Sequence, residues 1–202
     1  GTTVIGIGEC TPAGPLPGFV RSADEEFLSL FTGGSTGKPR IWSKTPANLF
    51  GEALNLSRTF GIGPDDLILP TVPPRHIYGL LFSVLLPFVA RAAVLDRTCS
   101  FPQEILAGLE NDRATVLAAV PIHYRALRTC GIQRQSLRAA FSSAAPLDPE
   151  DAAFFRDRTG LPVTEVYGST ETGGIAFRTT GAERGPWEPF GCIDWKVRSE
   201  HL

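Results

Sequence analysis

Residues 114–127, ATVLAAVPIHYRAL, carry the reading on which the fold turns. Ala114–Val120 reads as a short apolar strand, Pro121 follows it, and Ile122–Thr129 reads as a helix. The alternation of strand and helix extends outward in both directions, with no internal repeat. Upstream, Leu67–Val72 predicts a strand, His76–Ala90 a buried helix, Ala92–Leu95 a strand, and Pro102–Glu110 a helix with Ile105 and Leu109 on one side. Downstream, Leu137–Ser142 predicts a strand. Asp148–Arg158 predicts a helix with Asp148 as N-cap and Pro149 at its first position. Val163–Tyr167 follows as a strand, and Ile175–Arg178 and Ile193–Val197 as later strands. Nearer the start, Phe27–Phe31 and Arg40–Ser43 form an outgoing and a returning strand. Thr45 and Pro46 then open a helix marked by Leu49, Ala53, Leu56 and Phe60 and closed by Gly61. Strands alternating with helices specify an α/β fold, a mainly parallel sheet with helices on both faces. Ligands of such sheets bind at the carboxyl ends of the strands. Residues 1–24, rich in Gly, Pro, Thr and Ser, read as an extended arm or the end of a missing subdomain, and 25–202 as the α/β core.

Composition narrows the function. The 202 residues are 43% hydrophobic, which supplies one sizeable core. Nineteen basic and 21 acidic residues give a net charge of −2 with no long like-charge block, against a nucleic-acid binder. Cys10, Cys99, Cys130 and Cys192 are scattered, and with His76, His123 and His201 they make no zinc spacing. Reduced thiols fit a cytoplasmic protein. The most apolar run, Ile77–Ala90, is too short to cross a membrane and contains Pro87. The chain has no Met and begins with Gly1, so the expectation is a piece of a longer protein, and Gly1–Cys10 reads as no secretory signal.

One loop is chemically unusual. Thr32-Gly33-Gly34-Ser35-Thr36-Gly37-Lys38-Pro39-Arg40 follows a strand and gathers three glycines, hydroxyls and two cations, a set suited to an oxyanion with several oxygens. The P-loop pattern fails at Thr32 and Pro39. A nucleophile elbow, G-x-S-x-G, is formally present with Ser35 at its centre and would make the chain a hydrolase. An elbow runs into a helix, however, and here Arg40-Ile41-Trp42 returns as a strand. An ordinary Gly-rich turn is the remaining alternative.

FTGGSTGKPR resembles the phosphate-binding loop of the adenylate-forming, or AMP-binding, superfamily: acyl-CoA synthetases, aryl-CoA ligases, adenylation domains and luciferases. The family pattern, [YF]-T-S-G-[ST]-T-G-x-P-K-G, is departed from at Gly33, Arg40 and Ile41. Thr71–Leu80 is similar to the family's P-x-x-H-x-x-G segment, with His76 and Gly79 in place. On its own, a His before an apolar helix reads as a cap or a core residue. Tyr167-Gly168-Ser169-Thr170-Glu171 matches the family's Y-G-x-T-E motif fully, and Phe141–Leu147 occupies the place of its S-G-G-[AE]-P-L segment with Ala144 and Ala145 where glycines are common. The similarity covers about residues 25–180.

The resemblance implies the central part of the large domain of an ATP-dependent ligase. Such a ligase activates a small carboxylic acid as its adenylate and passes the acyl group to CoA or to the phosphopantetheine of an acyl carrier protein. It implies ATP and Mg²⁺ as cofactors. Thr32, Gly33, Gly34, Ser35, Thr36, Gly37 and Lys38 would lie on the β- and γ-phosphates. Ser143, Ala144, Ala145 and Pro146 would form the adenine wall, and Tyr167 would stack on the base beside Gly168 and Ser169. Thr170 would bond the α-phosphate, Glu171 would hold the metal, and His76 would sit near the reacting carboxylate. The family's later Asp, hinge and C-terminal lid with its Lys have no counterpart before Leu202. The isolated chain is therefore expected to be inactive. The alternative is a non-catalytic ATP-binding or scaffold domain derived from such a ligase.

Overall fold

The computed structural model describes residues 22–32, 40–133, 136–181 and 183–194. β1 (Leu28–Thr32) and β2 (Arg40–Lys44) pair antiparallel, Leu28 opposite Lys44 and Thr32 opposite Arg40. The other strands of the described residues form one seven-stranded sheet. In chain order these are β3 (Leu67–Pro70), β4 (Ala93–Val94), β5 (Val116–Ala119), β6 (Ala139–Ser142), β7 (Val163–Ser169), β8 (Gly173–Thr180) and β9 (Glu188–Pro189). Their spatial order is β4-β3-β5-β6-β7-β8-β9, parallel from β4 to β7 and antiparallel beyond. The expected mainly parallel sheet is present.

Alternation along the strands sends side chains to two cores, because successive Cβ atoms point to opposite faces. Leu69, Leu117, Ala119 and Ala140 join one cluster, built with α4 (Pro102–Glu110), α5 (Pro121–Cys130) and α6 (Pro149–Thr159). Ile68, Val116, Ala118 and Phe141 join the other, built with α1 (Pro46–Phe60), α2 (Ile77–Leu80) and α3 (Leu86–Ala90). Helices thus cover both faces. The second core is aromatic: Phe60 meets Phe141 at 4.9 Å and Phe177 at 5.2 Å between ring centroids, and Phe82 meets both Phe141 and Tyr78.

Helix ends follow local chemistry. Thr45 and Asn48 form a reciprocal capping box at the start of α1, and Gly61 closes that helix with φ +62°. Asp148 caps α6 by accepting the Glu150 N–H, with Pro149 first in the helix.

The expected single buried helix over His76–Ala90 is corrected. α2 passes into a π-helical turn, Leu81–Leu85, before α3 resumes. Pro87 has no N–H to offer the preceding turn, its ring crowds the carbonyl four residues back, and Leu86 bonds Leu81 five residues back. The run is also not buried all round, for Val84 and Phe88 face outward. β7 runs on to Ser169, past the predicted end at Tyr167, and β8 is longer than Ile175–Arg178. Ile193 and Asp194 lie in no strand. The rest of the predicted Ile193–Val197 strand, and the predicted arm up to residue 21, lie outside the described residues.

Two buried carboxylates pin the frame. Asp66, before β3, accepts from Arg138 Nε (2.6 Å), Thr115 Oγ1 (2.8 Å) and the Gly63 N–H. Glu165 on β7 accepts from Arg178 Nε (2.9 Å), Thr180 Oγ1 (2.6 Å) and the Leu147 N–H (3.0 Å). It thereby ties β7, β8 and the loop after β6 together. Burial works to raise the Glu165 pKa, but Arg178, Thr180 and the Leu147 N–H outweigh it and hold the carboxyl below its ordinary value.

Candidate active site

The chain leaves β3 toward β4 on one side and then crosses back over β3 to β5, so the winding direction reverses between β3 and β5. A crevice opens at the carboxyl ends of strands around such a reversal, where the following segments diverge to opposite faces. A hydrogen bond spans this one. Thr71, just after β3, lies 2.9 Å through Oγ1 from Nδ1 of His123 on α5, just after β5. The Val120 N–H points at the same nitrogen, which assigns Nδ1 as acceptor and puts the ring proton on Nε2. Burial pushes the His123 pKa down, with a bond to the Ser100 backbone acting the other way. Burial therefore favours the neutral imidazole at neutral pH.

Above this bridge lies a cavity of about 550 Å³. The carboxyl ends of β3, β5, β6 and β7 and the segments that follow them all reach it, contributing His76, His123 on α5, Ser143, Ala144, Gly168 near the end of β7, and Thr170. His76 holds the N-cap position of α2, but its side chain caps nothing and stays exposed on the cavity wall. The cap reading of this residue thus holds for its backbone only. A smaller groove of about 210 Å³ adjoins through the shared residues Ala144 and Gly168 and is lined by Ala145, Pro146, Tyr167 and Trp187. Tyr167 is 56% exposed and meets Trp187 at 5.6 Å. The Arg178 guanidinium lies 4.2 Å over the Trp187 ring. An apolar slot walled by small residues and an exposed ring accepts a flat aromatic group.

Glu171 borders a third space, of about 370 Å³, and not the main cavity. Buried Lys44, on β2, donates through Nζ to the Glu171 backbone carbonyl at 2.9 Å and so fastens the β7–β8 turn to the first hairpin. Ser169 first of all, with the charges of Arg40 and Lys44, draws the exposed Glu171 carboxyl below its ordinary pKa. That side chain is an ionised oxygen donor at neutral pH, of the kind a hard divalent cation takes. Thr32 ends β1, and Gly33, Gly34, Ser35, Thr36, Gly37 and Lys38 lie outside the described residues. Their anchors do not: β1 and β2 bring Thr32 and Arg40 opposite one another at the mouth of that loop.

Three participants escaped the sequence reading. His123 looked like any His of an amphipathic helix; the available signal was its place three residues after the end of a parallel strand. Lys44 and Glu52 carried no motif at all. They become visible only when the first hairpin and α1 pack against the β7–β8 turn, where Glu52 accepts the Gly174 N–H at 2.6 Å.

The backbone sets two tests. Gly79 lies so near the preceding loop that a Cβ there would fall 2.1 Å from the Pro73 carbonyl oxygen. Gly79→Ala should force residues 73–76 to shift, cost about 1 to 3 kcal/mol, and lower ligand affinity with it; denaturant melts and titrations on the variant check both. Ala144 holds φ +74°, a left-handed conformation that penalises a Cβ. Ala144→Gly should raise stability by about 0.5 to 1 kcal/mol, the relief of that strain exceeding the entropy glycine loses on folding, as read by urea denaturation.

A family model described as AMP-binding enzyme matches residues 14–201. The chain belongs to the AMP-binding enzyme family. Among relatives of this AMP-binding chain, a 4-coumarate–CoA ligase from Rhodobacter capsulatus is 33% identical over 171 residues, 83% of this chain and 42% of that protein. A sulfoacetate–CoA ligase from Cupriavidus necator is 32% identical over 167 residues, 82% of this chain and 32% of that protein. ATP-bound MatB from Rhodopseudomonas palustris superposes with a TM-score of 0.73 at 28% identity, over 84% of this chain and 33% of that one. The AMP-binding chain thus spans about a third to two fifths of the length of the relatives it matches. Among the described residues, no helix is long and apolar enough to cross a membrane.

Proposed function

We propose that this chain supplies the nucleotide- and acid-binding part of a ligase that couples ATP cleavage to AMP and pyrophosphate with thioester formation. The observation that carries the reading is the convergence of the carboxyl ends of β3, β5, β6 and β7, and of the segments that follow them, on one cavity at the strand reversal. In this reading the base lies in the groove beside Tyr167 and Ala145 and the sugar-phosphate passes Gly168. Thr170 contacts the α-phosphate, and Thr32, Ser35, Thr36 and Lys38 contact the outer phosphates. The acid enters beside His76, and its carboxylate oxygen attacks phosphorus. The P–O bond to pyrophosphate breaks, and the bonding pair leaves with it. The protein positions and neutralises; it supplies no nucleophile of its own. Mg²⁺ would be held by Glu171 and would offset phosphate charge. The thiol acceptor is CoA or carrier-bound phosphopantetheine. The relatives named as CoA ligases support the former. Free Cys99, Cys130 and Cys192 support a cytoplasmic setting.

Calorimetric titration of the chain with ATP in the presence of Mg²⁺ is the direct test. A one-to-one binding isotherm is expected, and no heat up to millimolar ATP would sink the reading. The 202-residue chain alone is expected to give no ATP–pyrophosphate exchange with a panel of carboxylic acids. Robust exchange would mean that the residues present suffice for the first half-reaction.

A further inference from the structure

Glu52 is a carboxylate that the reaction leaves without a task. It stands on α1 where the main cavity meets the space beside Glu171, with Leu56 and Gly174 also in both walls. Glycine makes the room for it: a Cβ on Gly173 would fall 2.6 Å from Oε2, and one on Gly174 3.1 Å from Oε1. Oε1 accepts the Gly174 N–H. Among the described residues Oε2 accepts no hydrogen bond. Burial raises the Glu52 pKa, against the Gly174 N–H and the Lys44 charge. The neighbouring cavity wall is apolar, with Leu30, Leu56, Leu81 and Phe82. Glu52 is half-buried, so this oxygen opens to the cavity as an acceptor that a donor on a ligand can meet.

Lys44 lies close enough for its charge to act on Glu52. A second cation is not needed, and a second anion would be repelled. We propose that Glu52 is a specificity residue that reads the far end of the acid, selecting an acyl group that ends in a neutral hydrogen-bond donor and rejecting one that ends in an anion. The proposal rests on the nucleotide-and-acid reading of this cavity, so its test must separate the two.

Non-hydrolysable acyl-sulfamoyl adenosines report acyl preference by binding alone. The chain is titrated with probes whose acyl groups end in hydroxyl, methyl or carboxylate, in one aryl and one alkyl series, and each affinity is taken as a ratio to sulfamoyl adenosine without an acyl group. The hydroxyl probe of the fitting series should bind at least about tenfold tighter than its methyl counterpart, with the carboxylate probe weakest. Glu52→Leu should reverse the hydroxyl–methyl order. Glu52→Gln keeps an acceptor for Gly174 and puts an amide N–H donor in the place of Oε2, from which the hydroxyl oxygen or a carboxylate can accept, so it should keep that order while admitting the carboxylate probe. Equal ratios for hydroxyl and methyl in the wild-type chain would overturn the proposal. So would a Glu52→Leu variant that weakens every probe alike, which would make Glu52 only a fastener of the Gly174 turn. If the acylated and unacylated probes all fail to bind, the cavity is not a nucleotide-and-acid site, and both readings fall.

Discussion

Replacing Glu165 by Ala should cost about 3 to 5 kcal/mol, because it strips a largely buried guanidinium of its partner and leaves two further donors unmet. Arg178, Thr180 and the Leu147 N–H converge on this one carboxylate. Chemical denaturation at neutral pH measures the loss. The same variant should alter the pH dependence. The folded-state pKa of Glu165 lies below its ordinary 4.5. Its contribution is therefore complete above the unfolded value and declines as pH falls through that value toward the folded one. Wild-type stability should drop between neutral pH and the acid side of 4.5, and the variant should drop less. It should not become flat, because Asp66 is shifted in the same direction: burial raises its pKa, and Arg138, Gly63 and Thr115 more than reverse this. A variant with unchanged stability would show that the three donors find other acceptors. The effect should reach ligands too, since the Leu147 N–H holds the end of the segment that walls the groove.

The second large effect is at Glu171. In the proposed ligase reaction, Glu171→Gln should slow the ATP-consuming step by about 10²- to 10³-fold, the usual consequence of deleting one preorganised charge. In the chain itself it should erase the dependence of ATP affinity on Mg²⁺. The fold should survive, because Lys44 binds the backbone carbonyl of residue 171 and not its side chain. A thermal melt matching wild type, alongside a titration that no longer responds to the metal, is the expected pair of results. Retained metal dependence would move the cation to another ligand.

The sequence disclosed the parallel sheet because its strands are short apolar runs separated by helices with clear caps. Thr45 with Pro46 and Gly61, and Asp148 with Pro149, set helix limits close to those found. It failed at Leu81–Leu85, since a π turn leaves the hydrophobic content of a helix unchanged and shifts only its hydrogen bonds. The site divided in the same manner. His76, Ser143, Ala144, Gly168 and Thr170 sit on contiguous motifs, and the fold brings them to one cavity. His123, Lys44 and Glu52 act through partners distant in the chain: Thr71, Glu171 and Gly174. No local pattern encodes those pairings. They arise from the strand reversal and from the packing of the first hairpin and α1 onto the β7–β8 turn.

The outermost strands of the large sheet, β4 and β9, are two residues each. One of the four residues, Pro189, has no N–H to donate. Asp96 and Arg97 follow β4 and bring charge to its border. A sheet bordered this way offers a second molecule almost no ladder to extend, and charge discourages the attempt. Among the described residues the seven-stranded sheet therefore ends in poor pairing edges, and lateral self-association through β4 or β9 is disfavoured even at the concentrations a titration requires.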